Sequence, residues 1–489
     1  MSQQLFKYQT LSIITRGIVT ILGVIQGIII VRILSPEDYG LIGIVLAVGG
    51  LVGVIEHFGL ATGSIREISI TRTLEEASKV MFTALGVRLV IVLPLAVGLF
   101  IASDYISNNI YNHPEISFPL KIFSLIMILQ SVQDIFASTL SGLQKFNQLF
   151  LFQITSAVIN LLVFVVLVKY KGFIGYFYAM LLLALFLLLI LITINFNLFN
   201  KKFILPTIRE FKQIFKNIFN IGLTTWILKI LYMFWQKGGI LIAGLFLLPK
   251  ELGYINFAIF VGLKITFIPD SISGINLSVM SKKYNEDVEI FKKEFKDNFY
   301  KVFSLLFLVS TIAIFYSKEI IILLVGQKYA PSFPLIPFYI FSCLLYSLIN
   351  LIGASVIVPT LMLKEAIFYY LVLCGVSFFA IWLFLVIGFG VLGVANGTLL
   401  GVIFAIILQN LFIYKKIKLQ IFDAKLGLLF LSLVPLVIVY LLSFNQIIKG
   451  IFFLCSLYLY FSLNKRLGIL NWKKIFKLEL VYRNFNIRG

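Results

Sequence analysis

Five basic side chains lie inside long apolar runs of the sequence, where an ionic charge is expensive. They are Arg16, Arg88, Lys229, Lys237 and Lys264. A charged residue at the centre of a membrane helix costs about 2.5–3.5 kcal/mol on insertion scales, so it normally faces protein or water. At lowered dielectric a cationic side chain strongly favours an anion, and the planar guanidinium matches phosphate oxygens. The pattern predicts a water-accessible cavity that selects anions, with snorkelling to the cytosolic head groups as the alternative for Arg16.

Two of these cations share one helical face with polar and aromatic neighbours. At about 100° per residue, Lys229 and Lys237 fall in one arc with Trp226 and Gln236, so this arc is predicted to line the cavity. Trp226, Tyr232 and Gln236 are the candidate sugar contacts, because aromatic rings can stack on sugar rings. Packing against lipid, or a place in the interfacial belts, is the alternative for the aromatic residues.

Four other titratable residues near or within the apolar runs are Glu56, His57, Asp134 and Asp270. They are candidates for coupling transport to protons or sodium ions. The alternative is that the acids neutralise neighbouring cations, since a carboxylate beside an arginine is stabilised as the ion. For His57 the alternative is a packed or interfacial imidazole.

Enzymatic motifs are not readable in the sequence. The stretch GFGVLG, residues 388–393, matches the dinucleotide fingerprint by letter. It connects two predicted membrane helices and follows no strand, so the match fails its structural test. Cys343, Cys374 and Cys455 lie singly in apolar runs, which predicts neither a disulfide framework nor a zinc site. We predict a protein that is not an enzyme and needs no cofactor or metal.

The elements that carry these residues are membrane helices. Of the 489 residues, 60% are hydrophobic and 13% are charged, against about 45–50% and about 25% in soluble domains. Apolar windows of about 20 residues recur, each long enough to cross a hydrocarbon core roughly 30 Å thick. The predicted spans are 11–34, 41–63, 80–102, 117–140, 149–168, 173–196, 218–248, 252–275, 299–316, 335–359, 367–388, 391–413, 426–443 and 449–463.

The orientation follows from the basic residues. Most of the 41 Lys and Arg residues fall in segments on the same side as the N-terminus, which predicts that both termini are cytoplasmic. No cleavable signal is expected before the first span. The net charge of +20 is then explained by topology and by attraction to anionic membrane lipids, so nucleic acid is not a predicted partner. The basic tail is expected to lie along the inner leaflet.

An internal repeat is indicated by two similar turns, LSPEDYG from Leu34 and LLPKELG from Leu247. They pair Pro36 with Pro249 and Gly40 with Gly253. A second pair, GFIG at 172–175 and GVLG at 390–393, joins the fifth and sixth helices of each set. Chance similarity is the alternative, because Pro and Gly are common in turns.

The predicted fold is therefore all-α: a polytopic membrane protein of about fourteen transmembrane helices. Two six-helix bundles are related by a pseudo-two-fold axis along the membrane normal, with two C-terminal helices appended. The predicted domains are 1–200 and 218–413 for the bundles, 201–217 for a cytosolic linker, 414–463 for helices 13 and 14, and 464–489 for the tail. Segments TRTLEEASK and EDVEIFKKEFKDN are predicted to form cytosolic amphipathic helices, with Thr73 and Glu76 spaced as a capping box.

Four stretches, RILSPEDYGLIGIV, IEHFGLATGSIREIS, LSGLQKFNQ and LLVGQKYAPSFPLI, give the chain a family resemblance. It resembles Wzx-type polysaccharide-unit flippases of the multidrug/oligosaccharidyl-lipid/polysaccharide exporter superfamily. The resemblance implies a V-shaped pair of bundles that moves an undecaprenyl-diphosphate-linked glycan, such as an O-antigen unit, between leaflets of the bacterial inner membrane by alternating access. It also implies membrane lipids, a polysaccharide polymerase and chain-length machinery as partners, and places Arg16 like a diphosphate-binding arginine of lipid II flippases.

Two rival functions fit the sequence less well than this resemblance. A multidrug exporter of the same superfamily usually attracts organic cations with acids, whereas the buried charge here is predominantly basic. A membrane-embedded polysaccharide polymerase or ligase would be expected to carry a large outer loop with clustered catalytic residues, and the predicted outer loops are poor in such groups.

Overall fold

The computed structural model describes residues 2–199, 203–431 and 446–469. Within these ranges the chain forms helices joined by turns, without a strand, which confirms the all-α prediction. The helices are α1 (Ser2–Ile33), α2 (Pro36–Ile55), α3 (Leu60–Ser69), α4 (Leu74–Tyr105), α5 (Ser117–Gly142), α6 (Phe146–Leu198), α7 (Ile208–Ala243), α8 (Pro249–Gly262), α9 (Phe267–Glu286), α10 (Val288–Phe315), α11 (Ser317–Val325), α12 (Ile336–Ile352), α13 (Leu363–Val386), α14 (Gly390–Ile417), α15 (Ala424–Leu431) and α16 (Gln446–Arg466).

Ten helices in the described ranges are long and apolar enough to cross a membrane. The chain is thus a multi-pass membrane protein, although the count of fourteen spans is not confirmed. The predicted fifth and sixth spans form the single element α6, and the seventh and fourteenth, in α7 and α16, are not among the ten. Residues 432–443 of the thirteenth span and the tail from residue 470 lie outside the described residues.

Helix α6 is 53 residues long and breaks at Gly172, which has φ 55° and ψ −134°. A straight helix of that length would extend about 80 Å, far more than a bilayer core of roughly 30 Å. The chain instead folds back at this point, since Gly175 lies so close to Leu167 that a side chain built on it would collide with the Leu167 carbonyl. The predicted turn between two spans is therefore present at Gly172.

The second GxxG turn has the same construction. Gly388 and Gly390 have φ values of 94° and 54°, in the left-handed region that glycine reaches without strain. A side chain at Gly393 would meet Phe384 of α13, as one at Gly175 meets the preceding helix. The two turns paired in the sequence therefore join their helices in the same way.

The predicted amphipathic helices are not separate elements. Residues 74–79 form the first turns of α4, and 288–298 form the first turns of α10. Thr73 caps α4 as predicted, accepting from the Glu76 backbone N–H at 3.1 Å. The Glu76 carboxylate accepts from the backbone N–H of Arg72 at 2.9 Å. The predicted capping box is therefore half formed, because Glu76 reaches one residue further back.

A complete capping box, which was not predicted from the sequence, begins α7. The Thr207 hydroxyl accepts from the Glu210 backbone N–H at 3.4 Å, and the Glu210 carboxylate accepts from the Thr207 backbone N–H at 2.8 Å. The Lys79 ammonium of α4 donates to Glu210 at 2.6 Å. This bond, followed by those from Thr207, lowers the pKa of Glu210 to about 2. The start of α7 is thus fixed against α4.

The chain forms two compact units. The first comprises Met1–Phe260, Ile321–Phe338 and Ile367–Phe404, and the second comprises Val261–Ile320, Tyr339–Ala366 and Ala405–Gly489. The first unit contains the whole predicted N-terminal bundle together with α7, most of α8 and parts of later helices. The division into two six-helix bundles stays a prediction.

A hydrophobic core in the first unit joins α3, α4, α5 and the start of α7. Its buried residues include Leu60, Met81, Ile135 and Ile218. Short helix α3 lies between the others: a side chain at its Gly63 would collide with the Ile218 carbonyl. This packing fixes the positions of the helices that carry the charged residues described below.

In the second unit, α16 is joined to α10 by a buried polar cluster. The Ser304 hydroxyl contacts the Tyr460 hydroxyl and donates to Asn464 Oδ1 at 2.7 Å. Because each polar group buried there has a partner, the cluster can specify how α16 packs on α10.

Candidate functional site

The site begins where α2 ends, in the motif IEHFGLATGSIREIS. Phe58 has φ 39° and Gly59 has φ 63°, so two successive residues occupy the left-handed region. A residue with a side chain in that region typically carries about 1–3 kcal/mol of strain and persists only when its surroundings hold it. The turn directs Glu56 and His57 toward α4 and α5.

Arg88 of α4 is fully buried and lies at the centre of the site. Its Nη2 donates to Asp134 Oδ2 at 3.0 Å and to Glu56 Oε1 at 3.3 Å. The same nitrogen is 2.7 Å from His57 Nδ1, and Nη1 donates to the His57 carbonyl at 3.4 Å. Since a guanidinium only donates, Nδ1 can only accept in this contact, and the two protons of Nη2 are shared among the three acceptors. His57 is therefore held as the neutral imidazole with its proton on Nε2.

A second layer of contacts holds the acids. Ser131 of α5 donates its hydroxyl to Glu56 Oε2, and only 4% of the Glu56 side chain is exposed. Asp134 differs, because 44% of its side chain is exposed. Asp134 is thus the acid of this cluster that a ligand or solvent can reach. We call Glu56, His57, Arg88, Ser131 and Asp134 the arginine cluster.

Lys229 of α7 completes the charge balance. It interacts electrostatically with Asp134, Arg88 and Glu56. With His57 neutral, two acids, Glu56 and Asp134, then face two basic groups, Arg88 and Lys229. The predicted charge-balancing role of the acids thus fits the geometry, whereas Arg88, with no exposed surface, does not lie on a cavity wall.

The predicted polar arc of α7 faces the end of α2. The Trp226 indole N–H donates to the Val54 carbonyl at 3.2 Å, and its ring stacks on Phe58 with centroids 4.2 Å apart. Met233 and Lys237 lie beside Gly50. One face of Trp226 is therefore occupied by packing on Phe58, a contact within the protein that was not predicted from the sequence.

Two lysines of this arc differ in how far they are exposed. Lys229 is exposed and Lys237 is partly buried. Among the described residues neither forms a salt bridge, and eight residues of helix place them about 12 Å apart. Gln236 lies between them and donates to Tyr232 at 3.2 Å.

The remaining predicted residues lie elsewhere. Arg16 is exposed on α1. Lys264, on the turn Leu263–Thr266, and Asp270, on α9, belong to the second unit. Asp270 is exposed and accepts from Asn350 at 2.6 Å. The structure does not place these three in the arginine cluster.

Sequence reasoning missed two members of the site. Ser131 lies three residues before Asp134, and that spacing on a helix puts both on one face. Phe58 lies in the motif beside His57, but its role in the turn required a left-handed conformation that sequence does not reveal. The first could have been found from spacing, and the second could not.

Comparison with known proteins gives a family and a fold. The sequence profile of the family described as polysaccharide biosynthesis protein matches residues 29–334, more than half of the chain. The chain gave no match to curated protein sequences.

Among solved structures, the chain is similar to the lipid II flippase MurJ in an inward closed conformation, with TM-score 0.69 and 17% identity over 97% of this chain and 100% of that chain. It is also similar to an inward-facing multidrug resistance MATE family transporter of the MOP superfamily, with TM-score 0.62 and 18% identity over 82% and 94%. A MOP superfamily transporter from Pyrococcus furiosus gives TM-score 0.56 and 18% identity over 84% and 95%. These likenesses show the fold of MOP transporters.

Proposed function

The chain belongs to the polysaccharide biosynthesis protein family, and on that premise we propose that it is a flippase for lipid-linked oligosaccharides. Its substrate is an undecaprenyl-diphosphate-linked repeat unit, carried from the inner to the outer leaflet of the bacterial cytoplasmic membrane by alternating access. The lipid II flippase and the MATE transporter with the same fold both support a transporter rather than an enzyme. A polymerase and chain-length machinery are the proposed downstream partners.

The observation that carries the proposal is the pair of lysines on α7. Lys229 and Lys237 form no salt bridge among the described residues, and they lie on one face next to α2. A diphosphate has two adjacent anionic groups, and an ammonium group at lowered dielectric strongly favours such a partner. We assign these lysines to headgroup binding and treat Arg88 as a positioning residue.

Asp134 is the residue through which an ion could be coupled to transport. It is held by Arg88 at 3.0 Å and interacts with Lys229 while remaining partly exposed. When a diphosphate takes Asp134's place beside Lys229, the carboxylate loses part of its stabilisation as an ion. It can then take up a proton or a sodium ion, which links substrate binding to ion binding.

The proposal is tested with purified protein in proteoliposomes that contain a lipid-linked oligosaccharide. Appearance of the glycan on the opposite leaflet is measured with an impermeant lectin. Lys229→Glu should slow this movement roughly tenfold or more, the effect of losing about 1.4 kcal/mol of binding. Lys229→Arg should retain most activity, because it keeps the positive charge.

Lys212→Glu is the matched control, since Lys212 is exposed near the start of the same helix. Equal transport by Lys229→Glu and Lys212→Glu would contradict the binding assignment. Export of a cationic dye without any glycan movement would instead support the multidrug alternative.

A further inference from the structure

The two repeated turns of the sequence touch each other. A side chain built at Gly40 of α2 would collide with the carbonyl of Pro249, and one built at Gly253 of α8 would collide with the carbonyl of Pro36. The repeat pairs Pro36 with Pro249 and Gly40 with Gly253, so the contact is reciprocal. This is the pattern of an isologous interface, in which equivalent residues exchange partners.

A tyrosine from the motif LLVGQKYAPSFPLI covers both turns. Tyr329 is fully buried. Its ring meets Tyr39 of α2 and Tyr254 of α8 edge-on, each with centroids 6.3 Å apart. Its hydroxyl donates to the Ser35 carbonyl at 3.5 Å. One side chain therefore contacts the starts of both helices in an almost equivalent way.

Two basic side chains, Arg32 and Lys328, connect the same regions by donating hydrogen bonds to the carbonyls at helix ends. Arg32, at the end of α1, donates to the carbonyls of Leu324 and Leu323 in the last turn of α11, the latter at 2.8 Å. Lys328 donates to the carbonyl of Arg32, in the last turn of α1, and to the carbonyl of Leu34, just after α1 ends. The last carbonyls of a helix have no partner inside it. Arg32, at the end of α1, therefore caps α11, and Lys328, just after α11, caps α1.

We propose that Arg32, Gly40, Gly253, Lys328 and Tyr329 form a latch that closes the outer side of the transport path and opens once in each cycle. The proposal rests on the proposed function and on the predicted orientation, which puts these turns outside. It assigns a role to two family motifs that headgroup binding leaves unexplained.

The contacts of the latch suit two helices, α2 and α8, that separate completely in one step. The glycine contacts leave no room for a side chain, so the two helices either meet fully or part. Arg32 and Lys328 are exposed, so water can replace their hydrogen bonds when the latch opens. Packed interfaces of this kind switch between discrete states rather than deform gradually.

Accessibility of Asn256 tests the latch. Asn256 packs on Gly43, and its amide donates to the Tyr39 carbonyl at 3.4 Å. Asn256→Cys is made in a variant without Cys343, Cys374 and Cys455, and intact cells are treated with an impermeant maleimide. Adding Gly40→Ala or Gly253→Ala should raise labelling several-fold, because the helices can no longer meet.

Gly53→Ala is the matched control on α2, since a side chain at Gly53 would meet nothing within 4 Å. Labelling should then stay at the level of the parent. Equal labelling in the Gly40→Ala and Gly53→Ala variants, at equal amounts of inserted protein, would overturn the latch.

A disulfide provides a second test in the opposite direction. A side chain at Gly43 would point directly at Asn256, so Gly43→Cys combined with Asn256→Cys can be oxidised across the closed contact. The oxidised protein should stop moving glycan and recover after reduction. Full transport by the oxidised protein would refute opening of this contact. Labelling needs no glycan, so it can succeed even if the proposed substrate is wrong.

Discussion

Arg88 shows how a buried charge is accommodated. Its guanidinium has no exposed surface, and removing a charge from water without a partner costs several kcal/mol. Asp134, Glu56 and His57 supply acceptors within 3.4 Å. The cluster thereby fixes α4 against α2 and α5 and keeps Asp134 beside Lys229.

We predict that Arg88→Ala destabilises the protein by about 3–5 kcal/mol, the usual effect of leaving buried partners without a counter-charge. Thermal unfolding in detergent measures this. Combining Glu56→Gln, Arg88→Met and Asp134→Asn should restore much of the stability, because no buried charge is left without a partner and the remaining cation, Lys229, is exposed. Arg66→Ala is the control, since Arg66 is exposed on α3. A loss no larger than that of Arg66→Ala would show that the cluster does not stabilise the fold.

At the scale of helices, the glycine turns determine where the chain reverses. Gly172 divides α6, and Gly388 and Gly390 separate α13 from α14, each with a positive φ. The next helix then packs closely through Gly175 or Gly393. Two hairpins built alike from paired motifs favour an origin by duplication over chance similarity.

Gly175→Ala and Gly393→Ala should each destabilise the protein by about 1–3 kcal/mol, because an added methyl group overpacks the contact with the preceding helix. Gly98→Ala in α4 should instead be neutral or stabilising, since a side chain there meets nothing within 4 Å and alanine favours helix. Unfolding temperatures of the three variants compare these effects. Similar values for all three would contradict the packing argument.

The helix caps were partly readable from sequence. Thr73 and Glu76 have the spacing of a capping box, yet Glu76 bonds the Arg72 backbone instead. Thr207 and Glu210 have the same spacing and form the full box. Spacing identifies where a helix starts, but backbone angles just before the cap decide which N–H the carboxylate reaches.

At the scale of the whole molecule, the apolar helices and the MOP transporter fold establish a multi-pass membrane protein. The family match confirms the resemblance to polysaccharide-unit flippases read from the motifs. The side of the membrane on which each turn lies is predicted from the basic residues alone.

The orientation can be tested with two exposed positions in a background without the three native cysteines. Glu115→Cys, between α4 and α5, should react with an impermeant maleimide on intact cells, and Asn285→Cys, near the end of α9, should react only after permeabilisation. The positive-inside rule places these positions on opposite sides. Labelling in the reverse order would invert the orientation and, with it, the outer position of the latch.

The sequence by itself determined that the protein lies in a bilayer, that it is helical and that it contains a repeat. Long apolar windows require a bilayer, a bilayer requires helices because backbone groups must be satisfied locally, and paired Pro and Gly positions mark equivalent turns. These are local properties, so they can be read along the chain. The sequence also identified candidate site residues, because an ionisable residue in an apolar run is visible without a structure. They are Arg88, Glu56, His57, Asp134 and Lys229.

Only the tertiary structure decided which of these charges neutralise one another. Arg88 lies far along the chain from Lys229, and whether it meets phosphate or Asp134 depends on how α2, α4, α5 and α7 pack. The turn at Phe58 brings Glu56 within 3.3 Å of Arg88, and that turn requires a left-handed residue that sequence does not predict. Pair energies depend steeply on distance and burial, and both are set by packing between helices.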